Sequence, residues 1–480
     1  AVSDWMEMER ERGISITTSV MQFPYRSLQM NLLDTPGHAD FSEDTYRTLH
    51  AVDGAVMLLD CAKGVEPQTR KLFRVCRHRS IPIFTYVNKM DRPGREPFDL
   101  VGEVETVLGI GVYPVTWPVF RSGTFRGVYH RITKKVYVFD QSLAKSSANL
   151  GSEAAPFKTS GLADPFLLEE LGAVGVEQLR EEIELLEAAG DEFDRERFLA
   201  GEVSPMFFGS AINNFGLEAF LETFSDWMPP PKARMSSQGV ISAEQEEFSG
   251  FIFKIQANMN KAHRDRLAFL RICSGRFHRG MKVHHVRLDR DIRLANPAQF
   301  LAQERSLVDE AFAGDVIGVF DTGQFEIGDT LSGGSNIEFD KIPSFAPEHF
   351  ARLVSMDPMR RKQLTRGIEQ LAKEGTIQLY RPPDGRAGDV ILGAVGVLQM
   401  EVTKSRLMNE YGADVRMEPL RFKAARWVAF DKGTPKDLES MLNACSGILV
   451  YDVRDRPVVL FENEWSIRFA EERITDARFA

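Results

Sequence analysis

The sequence predicts an α/β domain with a parallel sheet, followed by a small β-barrel and an α+β domain. Residues 28–230 alternate short apolar runs with amphipathic segments, which is the pattern of a doubly wound parallel sheet. Residues 248–329 contain short alternating runs separated by glycines, as in a small antiparallel barrel. After residue 345, helical and strand patterns are mixed, as in a split βαβ fold. A chain of 480 residues fits several domains, since one hydrophobic core seldom serves that length.

The α/β domain is expected to span residues 1–232, with a surface insertion at about residues 111–203. Its buried strands are predicted at Leu28–Leu33, Ala55–Leu59, Ile81–Val87 and Met206–Phe208. Its helices are predicted at Phe41–Val52, Pro67–His78, Pro97–Leu108 and Phe215–Trp227. Because ligands of such sheets bind at the carboxyl ends of the strands, the residues that follow these strands are the candidates for a site.

The barrel is expected at residues 245–340 and the α+β domain at residues 345–480. Three consecutive prolines, at positions 229–231, separate the barrel from the α/β domain because they cannot continue a helix. The α+β elements are predicted as a helix over Arg360–Glu374, strands over Ile377–Tyr380 and Val390–Ala394, and a helix over Gly396–Tyr411. Both domains are therefore expected to follow the α/β domain as separate folds.

The composition excludes several classes of protein. Lys and Arg total 59 against 69 for Asp and Glu, a formal net charge of −10, so bulk charge does not hold the chain to nucleic acid or anionic lipid. No apolar run approaches the roughly 18 residues of a membrane span, and neither a membrane nor DNA is expected as a partner. The four cysteines form no CxxC pair, which excludes a disulfide scaffold and indicates a cytoplasmic protein.

The first motif, Asp34-Thr35-Pro36-Gly37-His38, follows the apolar run Leu28–Leu33. A carboxylate at a strand end can hold Mg²⁺ through water, and a glycine three residues later lets a backbone N–H approach a terminal phosphate. The alternative is a plain Asp-x-Pro-Gly turn between a strand and a helix. Taken alone, this motif leaves both interpretations open.

The second motif, Asn88-Lys89-Met90-Asp91, follows the run Ile81–Val87. An aspartate there can accept hydrogen bonds from N1–H and the exocyclic amine of guanine, whereas adenine would leave it unpaired. Asn88 is expected to brace the loop and the stem of Lys89 to lie over the base. The alternative is an exposed polar loop.

Two shorter segments complete the pattern. Gly209-Ser210-Ala211 follows the run Met206–Phe208, and its small residues permit a backbone N–H to reach the guanine O6. Arg12–Thr18 supplies hydroxyl groups ahead of the first predicted strand, and a loop hydroxyl can bind Mg²⁺ when a γ-phosphate is present. A strand start rich in β-branched residues is the alternative for Arg12–Thr18. The order of the four motifs at strand ends favours a guanine-nucleotide site.

These four motifs resemble those of the translational GTPases, and within them the branch that acts in termination. Further stretches carry the same resemblance: Asp4–Ser19, Gly54–Thr69, Phe251–Asp265 and Gly393–Met400. The resemblance covers essentially the whole chain. It implies a P-loop-type GTPase domain followed by a β-barrel domain and an α+β sandwich domain, with GTP or GDP and Mg²⁺ as cofactors.

The resemblance also implies roles for single residues. Ser15 and Asp34 would hold Mg²⁺, Gly37 would sense the γ-phosphate, and His38 would be the catalytic residue that orients the attacking water. Asn88, Lys89 and Asp91 would select guanine. The cofactor-binding set implied in this way is Asp34, Thr35, Pro36, Gly37, His38, Asn88, Lys89, Met90, Asp91, Ser210, Ala211 and Ile212. Asp34 and Asp91 are expected to converge on opposite ends of one nucleotide.

The chain departs from the family pattern in two places. Ser15 stands where most relatives carry threonine, but it retains the hydroxyl. No G-x-x-x-x-G-K-[ST] segment occurs, although that loop supplies the phosphate cradle. We therefore expect an N-terminally truncated copy that lacks the first βα unit, binds GTP poorly and does not hydrolyse it. Nanomolar-to-micromolar binding of a fluorescent GDP analogue to this chain would contradict that expectation.

The function implied for the intact protein is a ribosome-stimulated GTPase of translation termination. In its GTP form it would bind the post-termination ribosome, through rRNA and the stalk protein, and drive off class I release factors as a monomer. Basic residues that could touch rRNA fall in two clusters: Lys261, His263, Arg264 and Arg266, and Arg360, Arg361 and Lys362. Two alternatives are a translocase of the elongation-factor-G type, which carries two further domains, and a non-hydrolysing regulatory module.

Overall fold

The computed structural model describes residues 6–139, 157–189, 192–257, 266–294, 298–301, 304–383, 390–431 and 434–480. The chain divides into two compact units, Val52–Pro230 and a larger one of Ala1–Ala51 with Pro231–Ala480. Among the helices in these ranges, none combines the length and the apolar character that a bilayer crossing demands.

The larger unit begins with a helix, a hairpin and a second helix. These elements are α1 (Glu7–Arg12), β1 (Ser19–Tyr25), β2 (Leu28–Asp34) and α2 (Ser42–Leu49). Gly13 ends α1 with a φ of 67°, a left-handed conformation that glycine adopts without a Cβ clash. The hairpin is antiparallel, with Ser19 opposite Asp34. Asp34 is thus the last residue of β2, one position beyond the predicted end of the strand at Leu33.

The unit Val52–Pro230 is built on a parallel sheet. Its strands are β3 (Ala55–Asp60), β4 (Ile83–Asn88), β5 (Gly111–Pro114) and β10 (Val203–Phe208), in the order β3-β4-β10-β5. Its helices are α3 (Pro67–His78), α4 (Pro97–Leu108), α6 (Arg195–Leu199) and α7 (Leu217–Trp227). The core is aromatic, because rings of the central strands pack on those of the helices; it contains Phe84, Tyr86, Phe198, Phe207 and Phe220.

An antiparallel sheet and a helical segment that is kinked at Gly172 lie between β5 and β10. The strands are β6 (Thr116–Arg121), β7 (Thr124–His130), β8 (Lys135–Val138) and β9 (Phe157–Lys158), and the helix is α5 (Pro165–Ala189). The indole N–H of Trp117, a fully buried residue, donates to Glu182 of α5 at 2.7 Å. Residues 140–156 of the predicted insertion lie outside the described residues. Since β5 belongs to the parallel sheet, the antiparallel part begins after Pro114.

The barrel strands of the larger unit follow residue 233. They are β11 (Arg234–Ser236), β12 (Gly239–Ile241), β13 (Ser249–Ala257), β14 (Arg266–Ser274), β15 (Arg276–His278), β16 (Lys282–His285), β17 (Arg290–Arg293), β18 (Ala298–Leu301), β19 (Glu304–Leu307), β20 (Glu310–Phe312), β21 (Val316–Phe320) and β22 (Thr330–Ser332). One sheet runs in the order β17-β16-β22-β13-β14-β21-β18-β1-β2, with β19 paired to β18. The hairpin of β1 and β2 therefore extends the barrel sheet.

The α+β region contains two sheets of the same topology. The first consists of β23 (His349–Ser355), α8 (Arg361–Lys373), β24 (Gln378–Tyr380), β25 (Val390–Ala394), α9 (Val397–Tyr411) and β26 (Val415–Leu420). The second consists of β27 (Ala424–Phe430), α10 (Pro435–Leu442), β28 (Gly447–Tyr451), β29 (Pro457–Phe461), α11 (Glu464–Arg473) and β30 (Ala477–Phe479). The strand orders β24-β25-β23-β26 and β28-β29-β27-β30 are both split βαβ arrangements. The prediction of this topology is confirmed for the first sheet.

Three predictions are wrong. Ala55–Leu59 is predicted as a buried strand, but Leu58 is 63% exposed because β3 is an edge strand of the parallel sheet. The sequence predicts a buried parallel strand at Leu28–Leu33, but Leu28 and Leu32 are 43% and 45% exposed. The reason is that β2 is the last strand of its antiparallel sheet and has a neighbour on one side. The sequence also places Arg266 in a basic cluster facing RNA, but its side chain is buried and its Nε lies 2.7 Å from Asp321. The other residues of that cluster, Lys261, His263 and Arg264, lie outside the described residues.

Candidate guanine-nucleotide site

Two loops meet at the carboxyl ends of β4 and β10. The strands pair in parallel, with Val87 opposite Phe208. The backbone continues this pairing into the loops, because Gly209 N–H donates to Val87 O at 2.9 Å and Met90 N–H donates to Gly209 O at 3.1 Å. The Asn88–Asp91 motif and the Gly209-Ser210-Ala211 segment are therefore adjacent.

The side-chain amide of Asn88 joins the two loops. Its Oδ1 accepts from the backbone N–H of Lys89 at 2.8 Å and from that of Ala211 at 2.9 Å. In these two loops Met90 and Ser210 are buried and Asn88 is half-buried, whereas four members of the predicted set are exposed: Lys89, Asp91, Ala211 and Ile212. Asp91 thus presents its carboxylate to solvent beside a loop that Asn88 holds in place.

The end of β3 contributes residues that the sequence analysis missed. Asp60 Oδ2 lies 2.8 Å from Lys89 Nζ, and Cys61 Sγ donates to Lys89 O at 3.1 Å. The available signal was the rule already applied to Asp34 and Asn88, since Asp60 also follows an apolar strand. Its position at that strand end places it next to the Asn88–Asp91 loop.

The Asp34–His38 motif lies in the larger unit. Thr35 is half-buried and Pro36 is buried, and the carbonyl of Pro36 accepts from Thr45 Oγ1 of α2 at 3.0 Å. Gly37 is exposed, and a Cβ added to it would meet nothing within 4 Å. His38 is exposed, and its Nδ1 accepts from Asp40 N–H at 3.2 Å, so that its Nε2 is available to solvent.

A buried carboxylate holds the segment that carries Ser15. Glu9 is fully buried, and its oxygens accept from the backbone N–H groups of Met6 and Ile16, both at 2.9 Å, and of Thr17 at 3.3 Å. Ser15 itself is half-buried. The bond from Met6 is local, because Glu9 is the third residue of α1 and reaches back to the N-cap, whereas the bonds from Ile16 and Thr17 depend on how the chain turns after α1.

A second buried set anchors Thr18. Asp44 accepts from the Thr18 N–H, and Lys254 of β13 donates to the Thr18 carbonyl. Lys254 lies 3.6 Å from Asp44. Burial lowers the pKa of Lys254, although the nearby Asp44 and Glu374 act in the opposite direction. Burial alone would raise the pKa of Asp44, but Lys254 and the hydrogen bonds from Thr18 outweigh it and lower that pKa.

The donor chemistry of Ser15 and Asp34 fits Mg²⁺, which prefers oxygen ligands and keeps several waters beside one or two protein groups. In the described ranges, no group of three or more His, Cys, Asp or Glu side chains could hold a metal ion. Ser15 and Asp34 belong to the larger unit, and Asp91 to the unit Val52–Pro230. The convergence of Asp34 and Asp91 on one nucleotide stays a prediction.

Three protein families match successive parts of the chain. The family described as "Elongation factor Tu GTP binding domain" matches residues 1–230, and "Elongation factor G domain 2" matches residues 247–334. "Class II release factor RF3, C-terminal domain" matches residues 339–471. The predicted fold class is thereby confirmed, and the match over residues 339–471 favours neither a translocase nor a separate regulatory module.

The curated relatives are similar along nearly the whole chain. A protein named peptide chain release factor 3 from Symbiobacterium thermophilum is 51% identical over 473 residues, which cover 98% of this chain and 88% of the relative. Proteins of the same name from Listeria monocytogenes serotype 4b and Gloeothece citriformis are 49% and 48% identical, covering 99% and 98% of this chain and 88% and 86% of the relatives.

A solved structure shows the same fold. The crystal structure of a protein from Thermus thermophilus superposes with a TM-score of 0.70 at 20% identity, covering 91% of this chain and 65% of that one. The sequence-based prediction of a translational GTPase is confirmed by the families and the curated relatives together. The chain belongs to the class II release factor family, the GTPases of translation termination.

Proposed function

We propose that the loops after β4 and β10 bind the guanine base of GTP and GDP. Asp91 would accept from N1–H and the exocyclic amine, and the backbone of Ser210, Ala211 and Ile212 would close the pocket over O6. The observation that carries this proposal is the amide oxygen of Asn88, which bonds Lys89 N–H and Ala211 N–H. The loop that offers Asp91 and the loop that offers small residues are thereby held together.

The phosphate end would be served by the Ser15 segment and the Asp34–His38 motif. Ser15 and Asp34 would hold Mg²⁺, which supplies charge stabilisation to the transferring phosphoryl group when bound. Thr35 and Pro36 would shape the turn that presents Gly37 to the γ-phosphate. His38 would orient the attacking water through Nε2, since Nδ1 already accepts the Asp40 N–H.

The proposed setting is the bacterial ribosome in the cytoplasm. The GTP form would bind the post-termination ribosome, contacting rRNA and the stalk protein, and would promote the departure of a class I release factor. Hydrolysis would then release the protein, which would act as a monomer. The names and families of the relatives support this setting.

Substitution of Asp91 tests the base site. In the protein expressed from its complete coding sequence, Asp91→Asn should weaken GDP binding about 10- to 100-fold, because a charge-assisted pair of hydrogen bonds is lost. It should also strengthen binding of xanthosine diphosphate, whose 2-oxo group accepts from the new amide. Equilibrium titration with fluorescent analogues of both nucleotides measures the exchange of preference.

The matched control is Asp99→Asn, because Asp99 is an exposed aspartate on α4 that belongs to neither loop. That variant should bind both nucleotides as the wild type does. If Asp91→Asn weakened the binding of GDP and of xanthosine diphosphate equally, and strengthened neither, the aspartate would not read the base.

A further inference from the structure

The parallel pairing of β3 and β4 places Asp60 beside Asn88 at the strand ends. Cys61 N–H then donates to Asn88 O at 3.0 Å. The chain that leaves β3 therefore runs along the loop that carries the guanine-selecting residues. Asp60 reaches that loop from an element that contains none of the four sequence motifs.

The carboxylate of Asp60 is itself held in place. Its Oδ1 accepts from the backbone N–H of Ala62 at 2.9 Å, while its Oδ2 lies 2.8 Å from Lys89 Nζ. The Asp60 side chain is 17% exposed and that of Lys89 is 46% exposed. The hydrogen bond from Lys89 lowers the pKa of Asp60, so the carboxylate is charged at neutral pH. The fixed carboxylate of Asp60 thus holds the ammonium group of Lys89 in place.

The backbone of Lys89 is held from the same strand end. Its φ of 68° is a left-handed conformation that residues other than glycine rarely adopt. The Lys89 carbonyl accepts from Cys61 Sγ at 3.1 Å and from Arg92 N–H at 3.0 Å, and its N–H donates to Asn88 Oδ1 at 2.8 Å. Both ends of Lys89, the backbone and the ammonium group, are therefore fixed, and its alkyl stem spans the distance between them.

We propose that Asp60 is a positioning residue for guanine binding, which holds the Lys89 ammonium so that the alkyl stem forms one wall of the base pocket. The inference rests on the proposed function of the Asn88–Asp91 loop. An ordinary surface ion pair in the same segment is Lys63–Glu66, at 3.4 Å with side chains 63% and 50% exposed. Exposed pairs of this kind hold their side chains only weakly in place. Asp60, in contrast, is anchored to the backbone, and its partner Lys89 lies in the binding loop.

A double-mutant cycle tests whether Asp60 acts through Lys89. The variants are Asp60→Asn, Lys89→Met and the two combined, made in the protein expressed from its complete coding sequence and titrated with a fluorescent GDP analogue. Asp60→Asn should weaken GDP binding about 3- to 30-fold, a coupling usual for charged residues in contact. In the Lys89→Met background, the same substitution should change the affinity less than about 2-fold, since the partner is gone.

Two controls separate positioning from a general structural effect. Glu66→Gln removes the neighbouring exposed pair and should leave GDP affinity unchanged. Asp60→Glu keeps the charge and should recover part of the loss seen in Asp60→Asn. If Asp60→Asn lowered GDP affinity equally in both backgrounds, or did not lower it when Lys89 is present, the inference would be overturned. The proposed guanine site would not be affected by that outcome. A wild-type protein that prefers ADP or shows no preference for GDP over ADP would overturn the proposed function itself.

Discussion

At the scale of single residues, the candidate site depends on side chains that bond backbone groups of a neighbouring loop. Asn88 Oδ1 connects Lys89 and Ala211, and the Pro36 carbonyl is held by Thr45. Each of these bonds fixes a backbone segment, whereas the residues assigned to the ligand, such as Asp91 and His38, remain exposed. The site is therefore built with its acceptors and donors open to a ligand.

Substitution of His38 separates binding from hydrolysis. His38→Ala should leave GDP affinity within about 2-fold of the wild type, while ribosome-stimulated GTP hydrolysis should fall about 10²- to 10⁴-fold, as is usual when a group that positions or relays a proton is removed. Single-turnover hydrolysis with ribosomes in excess measures the second quantity. Ribosome-stimulated turnover unaffected by the substitution would remove His38 from the mechanism.

The residues of the site are only partly predictable from the sequence. The rule that polar residues at strand ends serve ligands locates Asp34, Asn88 and Asp91. The same rule extends to Asp60, which also ends a strand but belongs to none of the four motifs. Glu9 cannot be found in this way, because Ile16 and Thr17 are brought to it by the turn after α1 and no spacing rule encodes that turn.

At the scale of elements, buried charges connect α2 with α8 and α9. Arg47 of α2 pairs with Glu43 and donates to the carbonyls of Glu374 and Gly375 at the end of α8. Arg406 of α9 pairs with Glu374 at 2.6 Å and with Glu410 at 2.7 Å. Burial by itself would lower the pKa of Arg406, but the two glutamates outweigh it and hold the pKa above its ordinary value. These helices are thus joined through buried charged groups.

Removal of Arg406 should strongly destabilise the larger unit. Arg406→Met leaves Glu374 and Glu410 buried without their cation, and the free energy of unfolding should fall by about 3–5 kcal/mol. Urea denaturation followed by circular dichroism measures the change. The matched control is Arg478→Met, which breaks an exposed pair with Asp431 and should cost about 0–1 kcal/mol. If both substitutions lowered the free energy of unfolding equally, the buried network would stabilise the unit no more than an exposed ion pair does.

Helices and strands are predicted well where a periodic hydrophobic pattern extends over many residues. The helices α8 and α9 begin and end within about two residues of the predicted bounds, as expected for amphipathic helices with clear ends. The second α+β sheet is not predicted, because its helices have only 8 and 10 residues, against 13 and 15 in the first. Short apolar runs of this kind are ambiguous between strand and helix until tertiary packing decides.

At the scale of the whole molecule, the two compact units have separate hydrophobic cores. Phe207 lies in the core of Val52–Pro230, and Leu392 lies in a core of the larger unit; both are fully buried. Proteins with more than one such unit commonly depart from a single cooperative transition. The two cores are therefore expected to respond separately to substitutions that leave cavities.

Calorimetry tests that separation. Phe207→Ala and Leu392→Ala should each lower the free energy of unfolding by about 2–5 kcal/mol. They should lower the temperatures of different thermal transitions, because each cavity lies in a different core. GDP should raise the transition that Phe207→Ala lowers, if the base site belongs to Val52–Pro230 as proposed. A single transition shifted equally by both substitutions would show that the chain unfolds as one cooperative body.

The fold class is predictable from the sequence, but the partners of one strand are not. Strand–helix alternation indicates the parallel sheet, and the glycine-punctuated runs indicate the barrel. The run Leu28–Leu33 is predicted as a parallel strand, yet it contains Gln29 and Asn31, pairs antiparallel with β1 and extends the barrel sheet. An apolar run indicates that a strand forms, but the identity of its neighbour depends on contacts far along the chain.

The hairpin of β1 and β2 has a further consequence. Seven consecutive cross-strand partners fix its alignment, from Ser19 with Asp34 to Tyr25 with Leu28. Successive side chains of a strand point to opposite faces, so a slip of a single position would invert the whole strand. Leu33 would then leave the apolar cluster around Phe251, and Asp34 would present its oxygens to the reverse side. Deleting or inserting one residue in the Arg26-Ser27 turn is thus expected to displace Asp34, the proposed Mg²⁺ ligand, although Asp34 itself is unchanged.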